Sequence, residues 1–288
     1  MHGNGRPLSP LEMVVLILVI SIGLFLLAMS LPTDIGAGDA TRLAGCVNNQ
    51  NGLGKATIVH ATRMNMYPAS LVHAPDGSNN PWPLFPQIFP QLDKGDIFNR
   101  LAETNNFAAN KFIVEVLICP SDWPSTTTGV APLSYAANCG KPDIKGIDAI
   151  GNGIFFDRNK YNNPAREIIK MTPNYVAEHD GLAQTILFSE NVNLGEWTDR
   201  SHERDMGIFW GVPGMKGFNK ELKAPLTNAT ARPSSRHNGK FVVVFCDTHT
   251  RVLSEKIDPR VYARLLTPNG AAALPPDITP VAEKDLEF

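Results

Sequence analysis

Residues 235–254 read SRHNGKFVVVFCDTHTRVLS, and this stretch decides the fold. Phe241-Val-Val-Val-Phe245 is apolar at five consecutive positions. A strand of this kind has no polar face to offer water, so it is buried on both sides in the middle of a sheet. Cys246 to His249 then reverses the chain, and Thr250–Ser254 returns as the partner strand. A tight reversal favours glycine wherever φ is positive. Thr248 is β-branched, which predicts a looser or differently shaped turn at this point.

Moving outward, further strand candidates are short and bounded by turn residues: 112–119, 134–138, 153–156, 185–189 and 207–210. Short strands without regular intervening helices predict an α+β fold with an antiparallel sheet. Apolar positions at Leu43, Val47, Ile58 and Ala61 form a loose helical stripe within residues 40–66. The long mixed stretch 191–236, with Trp197 and Trp210, reads as an insertion with its own small structure. Residues 268–288, with Pro275-Pro276 and Pro280, read as a flexible tail.

Met13–Leu31 reads MVVLILVISIGLFLLAMSL, nineteen residues without a charge. As a helix it would rise about 28 Å, close to the roughly 30 Å hydrocarbon core of a bilayer. It is therefore expected to be a retained transmembrane anchor. The rival is a cleaved secretory signal ending near Ala37-Gly38-Asp39-Ala40, but the apolar region of such signals is usually shorter. Arg6 precedes the segment and Asp34 and Asp39 follow it, so the positive-inside rule puts residues 1–12 in the cytoplasm. The expected organisation is an anchor over 13–31, an extracytoplasmic domain over 32–267 and the tail. The expected location is a bacterial inner membrane with the domain in the periplasm. Glu12, at the head of the apolar run, is read either as complementing the helix N-terminus or as meeting a neighbouring subunit's amine.

Several short elements occur in order between Glu12 and Leu253. They are Cys46-Val-Asn-Asn, Gly54, His60, Tyr67-Pro68, Cys119-Pro-Ser-Asp122, Ser134-Tyr135-Ala-Ala-Asn138, Asn152-Gly-Ile-Phe-Phe156, Asp180-Gly181 and Glu190, closed by Ser235-Arg236-His237 and Asp247. Together they resemble a large bacterial family of prepilin-like proteins with a C-terminal H-x9-D-G signature. That family has no established function and is sometimes labelled solute-binding. The resemblance implies a long N-terminal helix laid on an antiparallel sheet, with long loop insertions, and homo- or hetero-oligomers with pilin-like subunits. Two positions depart from the pattern. Pro7 stands where a prepilin has the glycine before its cleaved bond, and Thr248 stands where the family has glycine.

A formal net charge of −2 gives no electrostatic reason to expect nucleic acid as a partner. The chain lacks G-x-S-x-G, a P-loop, G-x-G-x-x-G and H-E-x-x-H, so no enzyme, catalytic residue or cofactor is expected. His237 and Asp247, with His249 and Glu190, could be composed into a metal site of N and O ligands. His237 and Asp247 stand at opposite ends of a strand and would lie about 25 Å apart, so they are read as structural and not as metal ligands. Asp122, Asp157, Asp180 and Asp199 are read as loop carboxylates and not as a calcium site. Four Cys allow three complete pairings; Cys119–Cys139, flanking one loop, is the pair chosen for a disulfide, while Cys46 and Cys246 read equally well as buried thiols. The leading expectation is a pseudopilin-like structural or interaction protein of secretion or surface assembly. The alternative is an anchored solute- or glycan-binding module using Trp82, Trp123, Trp197 and Trp210.

Overall fold

A strand that is apolar at every position needs cover on both faces, and two layers of helix and loop supply it. The computed structural model describes residues 9–30, 37–74, 76–78, 80–142, 148–159, 168–212, 217–220, 222 and 224–273. The chain divides into two units, residues 1–41 and 42–288. Its helices are α1 (Pro10–Ser30), α2 (Ala37–Met64), α3 (Leu84–Ile88), α4 (Gly95–Thr104), α5 (Pro173–Glu178) and α6 (Pro259–Leu266). The strands are β1 (Leu71–Val72), β2 (Trp82–Pro83), β3 (Tyr135–Gly140), β4 (Ile186–Glu190), β5 (Gly207–Phe209), β6 (Lys240–Phe245) and β7 (Thr250–Ser254).

The expected membrane anchor over 13–31 is corrected: among the described residues, no helix is long and apolar enough to cross a membrane. The placement at a bacterial inner membrane with a periplasmic domain was drawn from that anchor and falls with it. Of the expected tail, residues 274–288 lie outside the described residues, while Gly270–Ala272 forms a 3-10 turn and Ala273 is buried.

The second unit is built on a five-stranded sheet in the order β5-β3-β4-β6-β7. β6 is interior, paired antiparallel with β4 on one side and β7 on the other. Its side chains divide by parity. Val242 and Val244 join the core that contains Cys46, Leu53 and Ala61 of α2. Phe241, Val243 and Phe245 join a second core with Tyr262, Leu265 and Leu266 of α6. The spacing of those three α6 residues puts them on one face. Asp258 caps this helix by accepting from the Arg260 N–H, and Pro259 occupies its first position.

The sheet is mixed and not antiparallel throughout, because β5 pairs with β3 in parallel. The stretch 191–236 is accordingly no separate insertion. It delivers β5 to the sheet edge and Trp197 to the main core, between Phe89 and Phe112. Two expected strands do not form. Residues 112–119 contain a 3-10 turn over Glu115–Leu117, and Pro120 follows without an N–H to give a ladder. In 153–156 the N–H groups of Ile154 and Phe155 both donate to the Asn138 carbonyl, each at 3.0 Å, so no alternating ladder arises.

α2 lies against the sheet through a narrow stripe of buried Cys46, Gln50, Leu53, Thr57 and Ala61. Gly54 permits the close approach, since a Cβ there would stand 2.9 Å from Val244 Cγ2. Three successive amides then fasten the helix to separate segments. Asn49 donates to the Ile118 carbonyl at 2.9 Å, Gln50 to Val242 at 2.9 Å and Asn51 to Thr248 at 2.8 Å.

The β6–β7 reversal is tight, contrary to the looser turn expected. Thr248 N–H donates to the Phe245 carbonyl and Phe245 N–H to the His249 carbonyl, both at 2.9 Å. This is a three-residue hairpin whose last position is left-handed, and Thr248 holds it with φ of 75°. A left-handed L-residue costs about 1–2 kcal/mol, partly offset by the greater chain entropy of glycine. Thr248→Gly should therefore raise the melting temperature by about 1–3 °C, read by calorimetry. Gly54→Val should do the opposite, costing about 1–3 kcal/mol by overpacking the helix–sheet seam, read by urea denaturation.

Candidate functional site

Four polar side chains converge where α2 meets the sheet. Cys46 lies on the buried face of α2, and Cys119 immediately precedes a 3-10 turn over Pro120–Asp122. Glu190 ends β4, and His237 stands in the turn that leads into β6. One ligand-capable atom from each lies within 4.8 Å of all the others. Cys46 Sγ donates to Glu190 Oε1 at 3.0 Å, Cys119 Sγ is 3.3 Å from His237 Nε2, and His237 Nε2 is 3.5 Å from Glu190 Oε1. Relative exposures of 0, 1, 2 and 7% for Cys46, Cys119, Glu190 and His237 seal the cluster from solvent.

Local structure fixes each member. Glu190 Oε2 accepts from the Val242 backbone N–H at 2.7 Å. The carboxylate thus takes the place of a strand carbonyl, and Oε1 is left facing the cluster. The His237 turn is held by its own N–H donating to Ser235 Oγ at 3.0 Å and by Lys240 N–H donating to the His237 carbonyl at 2.8 Å. Arg236 forms an ion pair with Asp122, whose N–H donates to the Cys119 carbonyl at 2.8 Å. That pair couples the turn carrying His237 to the turn carrying Cys119. Tyr135 O–H donates to Cys46 Sγ at 3.4 Å from the first residue of β3.

Burial pushes Glu190 up to about 8, reinforced by the neighbouring Cys119 sulfur and opposed by His237. Burial likewise drives Cys46 and Tyr135 far above their ordinary values. Cys119 moves the other way, below an ordinary thiol, because the Cys46 sulfur lies within hydrogen-bonding reach of it and His237 stands beside it.

Among the residues singled out from sequence, Cys46, Cys119, Glu190 and His237 belong to this cluster, while Asp247 and Glu12 do not. Asp247 occupies the hairpin turn at the far end of β6, where its Oδ1 lies 2.6 Å from Nδ1 of His249 and accepts from the His249 N–H at 3.1 Å. Glu12 and Ser9 form a reciprocal cap on α1: Ser9 N–H donates to Glu12 Oε2 at 2.7 Å, and Glu12 N–H to Ser9 Oγ at 3.3 Å. That local hydrogen bonding holds the Glu12 carboxyl below the usual carboxylate range. The expected Cys119–Cys139 bridge is corrected, since all four Cys are free and buried. Cys119 faces Cys46 and His237, whereas Cys139 lies on β3 beneath Gly207, where a Cβ would stand 2.7 Å from its sulfur. The four Asp considered for calcium each serve a local bond: Asp122 with Arg236, Asp157 with Asn159 N–H, Asp180 with Gly270 N–H and Asp199 with Glu196 N–H.

Sequence reasoning weighed Glu190 beside His237 but missed the sulfurs of Cys46 and Cys119 as their partners. The four donors come from four distant segments, so no ligand spacing exists to be read. The available signal was chemical: a carboxyl residue, Glu190, closing the uncharged run Ile186-Leu-Phe-Ser189, and a Cys on the inward stripe of a helix. An open groove of about 420 Å³ lies elsewhere, lined in part by Leu92, Ile97, Phe112 and Val114, and it shares no lining residue with the cluster.

The family model described as "Protein of unknown function (DUF1559)" matches residues 37–260. No curated protein and no solved structure matches the chain.

Because all four sulfurs are free and buried, iodoacetamide should add nothing to the native protein. In denaturant without prior reduction it should add one carbamidomethyl group per Cys. Intact mass reads both states, and two missing adducts after denaturation would show that a disulfide is present.

Proposed function

We propose, starting from the fact that the chain belongs to this family of unknown function, that its globular part is a non-catalytic structural and interaction module of pilin-like layout. The observation that supports this most is the sealing of the polar cluster at the helix–sheet seam. A group acting on a substrate needs access to it, and Cys46, Cys119 and Glu190 have almost none. Their bonds run instead to one another and to the backbone of β6, so they join segments that are remote in sequence.

The solute- or glycan-binding alternative requires aromatic side chains presented to solvent. Trp82, Trp197 and Trp210 are all buried, and only Trp123 is half exposed. Trp197 and Trp210 spend their indole N–H groups on the carbonyls of Phe112 and Asn152, at 3.1 and 2.8 Å. These rings hold the core together and leave no aromatic platform.

Cross-linking of the full chain in its native cells, followed by mass spectrometry, tests the interaction reading. The expected products join the chain to further copies of itself or to chains with the same helix-on-sheet layout. Saturable binding of a soluble sugar on a glycan array, abolished by Trp123→Ala, would overturn the reading in favour of a binding module.

A further inference from the structure

We propose that Cys46, Cys119, Glu190 and His237 form a closed tetrahedral site for a zinc-class divalent transition metal. The proposal rests on the structural reading above in one respect, that the cluster joins segments and does not process a substrate. It adds the ion that would make this joint strong.

Geometry carries the proposal. Zinc binds thiolate sulfur at about 2.3 Å and imidazole nitrogen or carboxylate oxygen at about 2.0–2.2 Å, so the edges of its ligand tetrahedron measure about 3.3–3.8 Å. Here Cys119 Sγ–His237 Nε2 at 3.3 Å and His237 Nε2–Glu190 Oε1 at 3.5 Å fall in that range, while Cys46 Sγ–Glu190 Oε1 at 3.0 Å is shorter and would open by about 0.5 Å around an ion. All six ligand-to-ligand separations stay within 4.8 Å. The 3.5 Å His237–Glu190 separation is too long for a strong hydrogen bond between these groups, yet it suits two ligands of one ion.

The ligand chemistry selects the metal class. Two sulfurs and an imidazole favour zinc and its neighbours over magnesium or calcium, which take oxygen ligands. With four protein ligands in a buried site, no coordination position is left for water, as in structural rather than catalytic zinc sites. Three anionic ligands and a neutral imidazole around a dication leave one net negative charge. Donors surround that charge: Tyr135 O–H reaches Cys46 Sγ, and Val242 N–H reaches the second oxygen of Glu190. Such outer groups orient ligands and tune their affinity. The Val242 bond also fixes Glu190 as a one-oxygen ligand.

The test uses the full chain, purified in reducing buffer without chelator after growth with zinc supplied. Elemental analysis should find roughly one zinc per chain. Replacement by Co²⁺ should give intense visible d–d bands and a near-ultraviolet thiolate-to-cobalt band, which tetrahedral thiolate coordination requires. Cys46→Ser, Cys119→Ser and His237→Ala should each bring the zinc content below about a tenth of an equivalent, and Tyr135→Phe should weaken affinity about tenfold. Cys139→Ser and Asp247→Ala should keep the full content. Should the ligand variants fail to fold, the wild-type protein still decides: a strong chelator should lower its melting temperature, and zinc should restore it. The proposal is overturned if wild-type protein holds less than about a tenth of an equivalent after zinc supply, or if Co²⁺ shows only a weak octahedral spectrum. A Cys46–Cys119 disulfide in the reduced-buffer protein would overturn it as well. None of these readouts depends on partner capture, so failure here leaves the interaction reading standing, and failure of cross-linking leaves the metal site standing.

Discussion

A carboxyl group placed in a nearly dry interior must be given partners, and Glu190 organises the second unit around that requirement. One of its oxygens takes the Val242 N–H and continues the pairing of β4 and β6 beyond the last regular backbone bond. The other oxygen faces Cys46 on α2 and His237 in the turn before β6. Removing an acceptor from such a position leaves several buried donors unsatisfied at once, each costing about 1–3 kcal/mol. The helix, the sheet and two turns therefore share one buried polar junction.

Around that junction the packing is simple. The parity of β6 sends Val242 and Val244 toward α2 and Phe241, Val243 and Phe245 toward α6. The run of five apolar residues follows from having a core on each side. Asn138 shows how polar groups are fitted between those layers. Its buried amide donates to the carbonyls of Ile186 and Leu266, both at 2.7 Å, and so ties β3 to β4 and to the end of α6. Arg232 does similar service in the long segment before β6, where its guanidinium reaches the carbonyls of Gly217, Ala229 and Lys220.

What was legible in the sequence is what depends on local pattern. The five apolar residues of β6, the returning β7 and the short runs at β3, β4 and β5 all carry period and turn signals within a few residues. The helical stripe through Leu43, Val47, Ile58 and Ala61 likewise marks α2, although the face it presents inward is centred on Cys46, Gln50 and Leu53. Pairing direction was not legible: β5 runs parallel to β3 because of the long path between them, and no residue in either strand encodes that. The apolar run at the N-terminus was read by length alone, and the described helix does not meet the requirement for crossing a membrane. Trp197 looked like part of an excursion because its partners, Phe89 and Phe112, lie far upstream. The cluster was hidden for the same reason, since Cys119 has a nearer sequence neighbour in Cys139 and a truer spatial one in Cys46.

The three amides at 49–51 have a consequence for the order of events during synthesis. Their acceptors are carbonyls at Ile118, Val242 and Thr248, two of them close to the C-terminal end of the sheet. Domains emerge from the ribosome N-terminus first, and contacts between distant segments form slowly because long loops must close before they are rewarded. α2 leaves the exit tunnel with its inward face complete, yet the strand it is shaped for is still untranslated. That face sets Gln50 and Thr57 among Cys46, Leu53 and Ala61, so it shows water less apolar surface during the wait than a face of Leu and Ile alone would.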